Sequence, residues 1–177
     1  MYMMAKKKHF ETLVHSFSSE LYRFGYGLCH NHAQAEDLVQ ETFLRAWKSF
    51  DKLQQASNAR SWLYTILRRE NARLYERQRP EARAPESLPQ IQVRGNDTSV
   101  EALGLRKQLN ELKVEYREPL MLQTIAGFST EEIGVIMDIS TNAVITRLSR
   151  ARRMLRESLL QEKTQYKNMH YKTGALT

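Results

Sequence analysis

Cysteine is almost missing from this chain: Cys29 stands alone among 177 residues. No disulfide framework can form within it, so cysteine usage gives no sign of an oxidising compartment. Long apolar runs are missing too; none approaches the roughly 18 residues that a membrane-spanning helix needs. The basic start Lys6–Lys8 is followed by HFETLVHSFSSE, which is too polar for the apolar core of a secretory signal. A cytoplasmic location without membrane insertion is the expectation. Glycine-rich phosphate loops and paired carboxylates on facing helices are absent, so no enzyme and no cofactor is expected. Cys29-His30-Asn31-His32 brings three potential zinc ligands together. Adjacent Cys and His lack the usual two-to-four-residue ligand spacing, and no second cluster exists, so a helix-end cysteine in the core is expected rather than a metal site.

Proline is scarce and unevenly placed. Three of the 4 prolines, Pro80, Pro85 and Pro89, fall together, with Gly95 and Asn96 close behind. No helical period survives there, and residues 80–98 read as a flexible linker between two helical domains, 1–79 and 99–162. The fold class expected is all-α. What the chain does have is positive charge, 27 Lys and Arg against 20 Asp and Glu, for a net +7. That excess favours a polyanionic partner, and its distribution carries more information than its size.

Residues 1–8 read as a frayed basic tail. Phe10, Leu13, Val14, Phe17, Leu21, Phe24 and Leu28 then step by three and four along one face of a long helix. Asn31 followed by Gln34 makes a capping box for a second helix, whose inner face is Val39, Phe43, Ala46, Trp47 and Phe50. Asp37, Gln40, Glu41, Leu44, Arg45 and Lys48 lie elsewhere on its surface. After a polar loop, Asp51–Ser57, a third helix begins near Asn58 with Leu63, Ile66, Leu67 and Leu74 inward and Trp62 at the margin. Tyr64, Arg68, Asn71 and Tyr75 form a second line along that helix, at spacings of four, three and four. Alternating rings and guanidinium groups on an exposed line suit single-stranded nucleic acid, because rings stack on bases and arginines neutralise phosphates. The competing reading is that both tyrosines simply cover core edges.

Beyond the linker, Thr98 and Glu101 make a capping box, and Leu105, Leu109, Leu112 and Tyr116 give one helical face. A short helix is expected around Pro119–Ala126, with the proline in its first turn, and Gly127 ends it. Ser129-Thr130-Glu131-Glu132 caps the next helix, Asp138-Ile139-Ser140 makes a turn, and Ser140 or Thr141 caps a final helix. In that helix Val144, Leu148, Ala151 and Leu155 face inward. Asn142, Thr146, Ser149 and Arg153 face out, with Arg150 beside them and Arg147 and Arg152 flanking. Two helices around a tight turn, the second bearing arginines, form the pattern of a helix-turn-helix. Asn142, Thr146, Arg147 and Arg150, on the early turns, are the candidate base readers. Arg152, Arg153 and Arg156 are candidate phosphate contacts. Residues 163–177 carry no pattern and read as a mobile tail.

Two stretches taken together carry a resemblance. AEDLVQETFLRAWKSF (35–50) with ARSWLYTILRRE (59–70) resembles the second conserved region of bacterial sigma factors. YREPLMLQTIAGFSTEEIGVIM with VITRLSRARRML resembles their fourth region. The bare linker between them is similar to that of the extracytoplasmic-function (ECF) class. The resemblance implies that Asp37, Gln40, Glu41, Leu44 and Arg45 dock on the β′ clamp helices of core RNA polymerase. It implies that Leu53, Ser57, Asn58, Arg60, Trp62, Tyr64, Arg68 and Arg69, with Asn71 and Tyr75 of the stripe, open and hold the minus-ten element. It implies that Asn142, Thr146, Arg147, Ser149, Arg150, Arg152 and Arg153 read the minus-thirty-five duplex while the domain sits on the β flap. An anti-sigma partner is also implied. Arg69 stands where the family often has Asn, Ile145 where it often has a basic residue, and Ala143 where it often has a hydroxyl. Two rival readings are a stand-alone helix-turn-helix regulator and a sigma-like decoy that sequesters an anti-sigma factor. The regulator leaves Asp37, Gln40 and Glu41 without a role, and a decoy needs no intact DNA-reading arginines.

Overall fold

The computed structural model describes residues 2–53, 55–77 and 107–173. The linker 80–98, the Thr98/Glu101 capping box and Leu105 lie outside the described residues. Among the described residues the regular structure is helical: α1 (Tyr2–Cys29), α2 (His32–Ser49), α3 (Ala59–Arg77), α4 (Val114–Thr124), α5 (Thr130–Met137) and α6 (Thr141–Thr173). Two 3-10 turns, Phe50–Lys52 and Ala56–Asn58, join α2 to α3, and a short helical segment at 107–111 precedes α4. The chain is an all-α protein of two domains.

In the N-terminal domain α1, α2 and α3 pack on one another through Leu21, Phe24, Leu28, Leu38, Ala46, Leu63 and Leu67, all fully buried. The Asn31 carboxamide accepts the Gln34 N–H at 3.0 Å, which starts α2 where the capping signal places it. The start of α1 is not a frayed tail: the helix runs from Tyr2. Two contacts hold its first turns. Phe10 meets the rings of Trp47, Phe50 and Phe43 edge-on at 5.1, 5.4 and 6.3 Å. The Lys6 ammonium pairs with Asp51 and lies 5.2 Å from the Trp47 ring centroid.

In the C-terminal domain α4 starts at Val114 rather than Pro119, and Pro119 lies inside it. The backbone carbonyl left without a donor by that proline is Glu115's, in the exposed first turn, where water can replace the lost partner. Ser129 and Glu132 exchange both hydrogen bonds of a capping box, at 3.2 and 2.8 Å, and start α5. Asp138 takes a left-handed conformation (φ 55°), and the Ser140 hydroxyl accepts the Ala143 N–H at 3.2 Å to cap α6. Between them the chain passes very close to α5: a Cβ built on Gly134 would lie 2.9 Å from the Ile139 carbonyl oxygen. Only glycine leaves room for that approach, and it sets the angle between α5 and α6. The final helix continues to Thr173, beyond Gln161 where the sequence pattern stops.

The two domains share one continuous buried cluster. Phe128, 3% exposed, packs edge-on against Tyr64 at 4.9 Å. A Cβ on Gly27 would overlap the Met121 methyl at 2.2 Å, so α1 and α4 touch closely there. Arg117, buried, donates to the carbonyls of Asn110 (3.1 Å) and Leu28 (3.4 Å), one from each domain.

Gly134→Ala is expected to lower stability by about 1–3 kcal/mol, because the obstacle is backbone and cannot swing aside. Urea denaturation followed by circular dichroism measures it; an unchanged midpoint contradicts the close approach.

Candidate nucleic-acid interface

Three surfaces gather the residues singled out by the sequence. The first is a groove of about 450 Å³ lined by Asp37, Gln40, Glu41, Leu44 and Arg45 of α2 with Glu70, Arg73 and Leu74 of α3. All five residues expected to face polymerase therefore meet in one place. Glu70 was not anticipated, and it organises the groove. Its buried carboxylate lies 2.7 Å from the Arg45 guanidinium and accepts a 2.7 Å hydrogen bond from Arg73, while Arg45 also reaches Glu41 at 2.9 Å. A carboxylate withdrawn from water needs such partners to offset its lost hydration, and the shared Glu70 holds both arginines in position. Leu44, 56% exposed, stands at the rim as an apolar contact point.

The second surface is the loop after α2 and the start of α3. Leu53, Ser57, Asn58, Arg60 and Trp62 line one cavity of about 640 Å³, together with Thr65. The far wall comes from the other domain: Phe128, Glu132 and Val135. Arg69 and Tyr75 are exposed further along α3.

The rest of the α3 line differs from the expected exposed stripe. Tyr64 is fully buried, with its ring 5.0 Å from Phe24 and 4.9 Å from Phe128, and burial raises its hydroxyl to about 12. Asn71 is 5% exposed and accepts the Cys29 thiol at 3.4 Å. Arg68 donates to the Glu118 carboxylate and to the Ile136 carbonyl, each at 2.9 Å. Arg60 forks onto Glu20 at 2.8 and 3.1 Å, donates to the Ala126 carbonyl, and lies 4.4 Å from the Phe128 ring centroid. A line at helical spacing cannot tell solvent from a second domain, and here the second domain covers Tyr64 and Arg68, while Asn71 turns to Cys29 of α1. The competing reading, tyrosines covering core edges, holds for Tyr64 and not for Tyr75.

The third surface is α6. Asn142, Thr146, Ser149, Arg150, Arg152 and Arg153 are exposed, and Arg147 is half-buried at the flank, opposite the buried Val144, Leu148 and Ala151. Few partners hold the arginines: Arg152 reaches Gln123, and Arg153 lies 3.9 Å from Glu157. Ile145, 51% exposed, sits among them as an apolar side chain.

The whole-chain comparison decides the family. A family model of sigma-70 region 2 matches residues 13–81, and one of sigma-70 region 4 matches residues 102–155. The ECF RNA polymerase sigma factor EcfG of Rhodopseudomonas palustris is 34% identical over 140 residues, 75% of each chain. The chain belongs to the ECF sigma factors. SigL of Mycobacterium tuberculosis, another ECF sigma factor, is 31% identical over 159 residues, 84% of this chain and 87% of that one. The sigma factor RpoE of Bartonella quintana, solved in complex with the anti-sigma factor NepR, has a TM-score of 0.70 at 31% identity, covering 86% of this sigma factor and 97% of that chain. CnrH, solved with the cytosolic domain of CnrY, has a TM-score of 0.64 at 27% identity, covering 86% and 88%. The family supports transcription initiation and DNA binding for this sigma factor.

Sequence reasoning missed Glu20, Glu70, Glu118 and Phe128. Each acts on a residue far away in sequence, so no local period marks it. Arg117-Glu118 does leave a trace, two charges just before the apolar Pro119-Leu120-Met121-Leu122.

At the domain junction His30 takes a left-handed conformation (φ 56°). Burial, and then the Arg117 charge, lower its imidazole to about 4, and burial raises the Cys29 thiol to about 11. A base whose folded pKa is depressed supports folding above its unfolded value near 6.5, and that support is lost as pH falls toward 4. His30→Asn, which tolerates the same backbone, is expected to flatten the decline of thermal stability between those pH values. Melting temperatures across the series check it, and parallel curves for both proteins contradict it.

Proposed function

We propose that this ECF sigma factor binds core RNA polymerase and directs initiation at a specific promoter set. The observation that carries the reading is the exposed polar stripe Asn142–Arg153 on a capped helix-turn-helix, in one chain with the groove of Asp37, Gln40, Glu41, Leu44 and Arg45. A recognition helix reads base edges with its first turns and runs beside phosphates with its later ones. Asn142, Thr146, Arg147 and Arg150 accordingly read the minus-thirty-five duplex, and Ser149, Arg152 and Arg153 follow its backbone. Ile145 and Ala143 supply apolar contacts where relatives offer charge or hydroxyl, so promoter preference is written there. The groove on α2 docks on the β′ clamp helices and the C-terminal domain on the β flap. The loop and α3, through Leu53, Ser57, Asn58, Arg60, Trp62, Arg68, Arg69 and Tyr75, take the melted minus-ten strand, and the buried Tyr64 and Asn71 support that helix from within. A flipped base needs a walled pocket, and the cavity of Leu53, Ser57, Asn58 and Trp62 is of that kind. An anti-sigma factor restrains the protein, as the complexes of RpoE and CnrH suggest by relation. The reading places the protein in the cytoplasm, and no described helix is long and apolar enough to cross a membrane.

Reconstituted holoenzyme is expected to give defined transcripts in run-off sequencing on genomic DNA; no transcript from any promoter overturns the reading. Arg150→Ala is expected to cost about 1–3 kcal/mol of discrimination at one base position while leaving polymerase affinity unchanged. Footprinting and a core-polymerase pull-down separate the two, and equal loss in both contradicts the assignment. Asp37→Ala with Gln40→Ala is expected to weaken the pull-down and leave the melting temperature unchanged.

A further inference from the structure

On the first turns of α6, Asn142, Thr146, Ser149 and Arg150 are exposed and polar, while Ile145 is 51% exposed and apolar. Ile145 stands three residues after Asn142 and four before Ser149. Residues at those spacings are neighbours on a helix surface, so a duplex edge that meets Asn142 and Ser149 meets Ile145 as well. The fold itself gives this side chain no role. Among the described residues, Val144, Leu148 and Ala151 belong to the core cluster and Met154 and Leu155 pack against it; Ile145 is in neither group. A single exposed isoleucine needs no explanation on an ordinary surface. Within a base-reading face it does, because whatever it covers loses water without gaining a hydrogen bond. The major-groove edges of guanine, cytosine and adenine offer donors and acceptors, and only thymine adds an apolar group, its C5-methyl. The Thr146 hydroxyl donates to the Asn142 carbonyl at 2.9 Å, so its hydrogen is not offered to a base beside Ile145. A β-branched side chain on a helix keeps one main rotamer, so Ile145 loses little freedom on being covered.

We propose that Ile145 is a specificity-determining residue that selects a thymine in the minus-thirty-five duplex by contact with its C5-methyl. The proposal rests on the assignment of α6 to that duplex and narrows it to one base and one chemical group. The contact discriminates in two directions. Against thymine it removes a methyl group and an alkyl chain from water together. Against cytosine, which carries an amino group and no methyl on that edge, it strands a donor. Asn142 and Arg150, on either side, read neighbouring positions through hydrogen bonds.

The test uses reconstituted holoenzyme and duplex DNA. Selection from a library randomised across the minus-thirty-five element gives the preferred site. Each thymine in it is then replaced singly by uracil, which pairs in the same way and lacks only the C5-methyl. Filter-binding competition compares the uracil and thymine duplexes. Wild-type holoenzyme is expected to lose affinity about fourfold at one thymine, the scale of one methyl group withdrawn from an apolar contact. Ile145→Ala is expected to bind both duplexes alike at that position and to keep the preferences at the others. Thr146→Ser, which removes the neighbouring exposed methyl, is expected to keep the fourfold difference whatever its overall affinity. Indifference of the wild type to uracil at every thymine, or a preferred site without thymine, overturns the proposal. So does loss of the uracil effect in Thr146→Ser and not in Ile145→Ala. Weaker core-polymerase binding by Ile145→Ala with every base preference intact also overturns it, and makes the residue a protein contact. If the wild-type holoenzyme selects no upstream element at all, the duplex-reading assignment of α6 falls, and the proposal with it.

Discussion

The contact on which the arrangement turns is Arg68 between Glu118 and Ile136. It joins the third helix of one domain to the fourth and fifth helices of the other at a place where water is largely excluded. Burying such a pair costs desolvation that its attraction only roughly offsets, while losing one partner strands a charge at several kcal/mol. The pair therefore contributes little net stability and much specificity: it admits one registry of the two domains and penalises others. Apolar packing supplies the attraction that the pair directs. Phe128 fits against Tyr64, and Met121 against the bare backbone at Gly27.

That junction reaches one of the three candidate surfaces and leaves two apart. The groove on α2 proposed to dock on polymerase lies clear of it, built from α2 and α3 alone, and Glu70 holds Arg45 and Arg73 from within that domain. The recognition helix also lies clear, since its buried face packs within its own domain and its polar face looks outward. Only the loop and α3 region proposed to hold the melted strand is shared between the domains.

Much was legible beforehand where the determinant is local. The Ser129–Glu132 capping box, the Asp138–Ser140 turn and the inward series Val144, Leu148, Ala151 all depend on spacing along one helix or on a neighbour three residues away. Each lies where the pattern put it. The five groove residues of α2 share a helix surface for the same reason. Pro119 was misplaced because proline is best tolerated in a first turn, and an exposed carbonyl partner lets it sit deeper. The residues 1–8 were undervalued because the partners of Lys6 and Phe10 lie beyond residue 42.

Sequence alone determined the helices, their caps, the inner and outer faces of the helix-turn-helix and, through the two matched stretches, the family. These follow from backbone hydrogen bonding and periodicity, which act over a few residues. Tertiary structure alone decided that Tyr64 and Asn71 are buried and that Arg60 and Arg68 are occupied. A helix face turned away from its own core is turned toward solvent only if nothing else packs there. Here Phe128 packs on Tyr64 and Glu118 pairs with Arg68, each more than 45 residues away in the chain, and no periodicity records that distance.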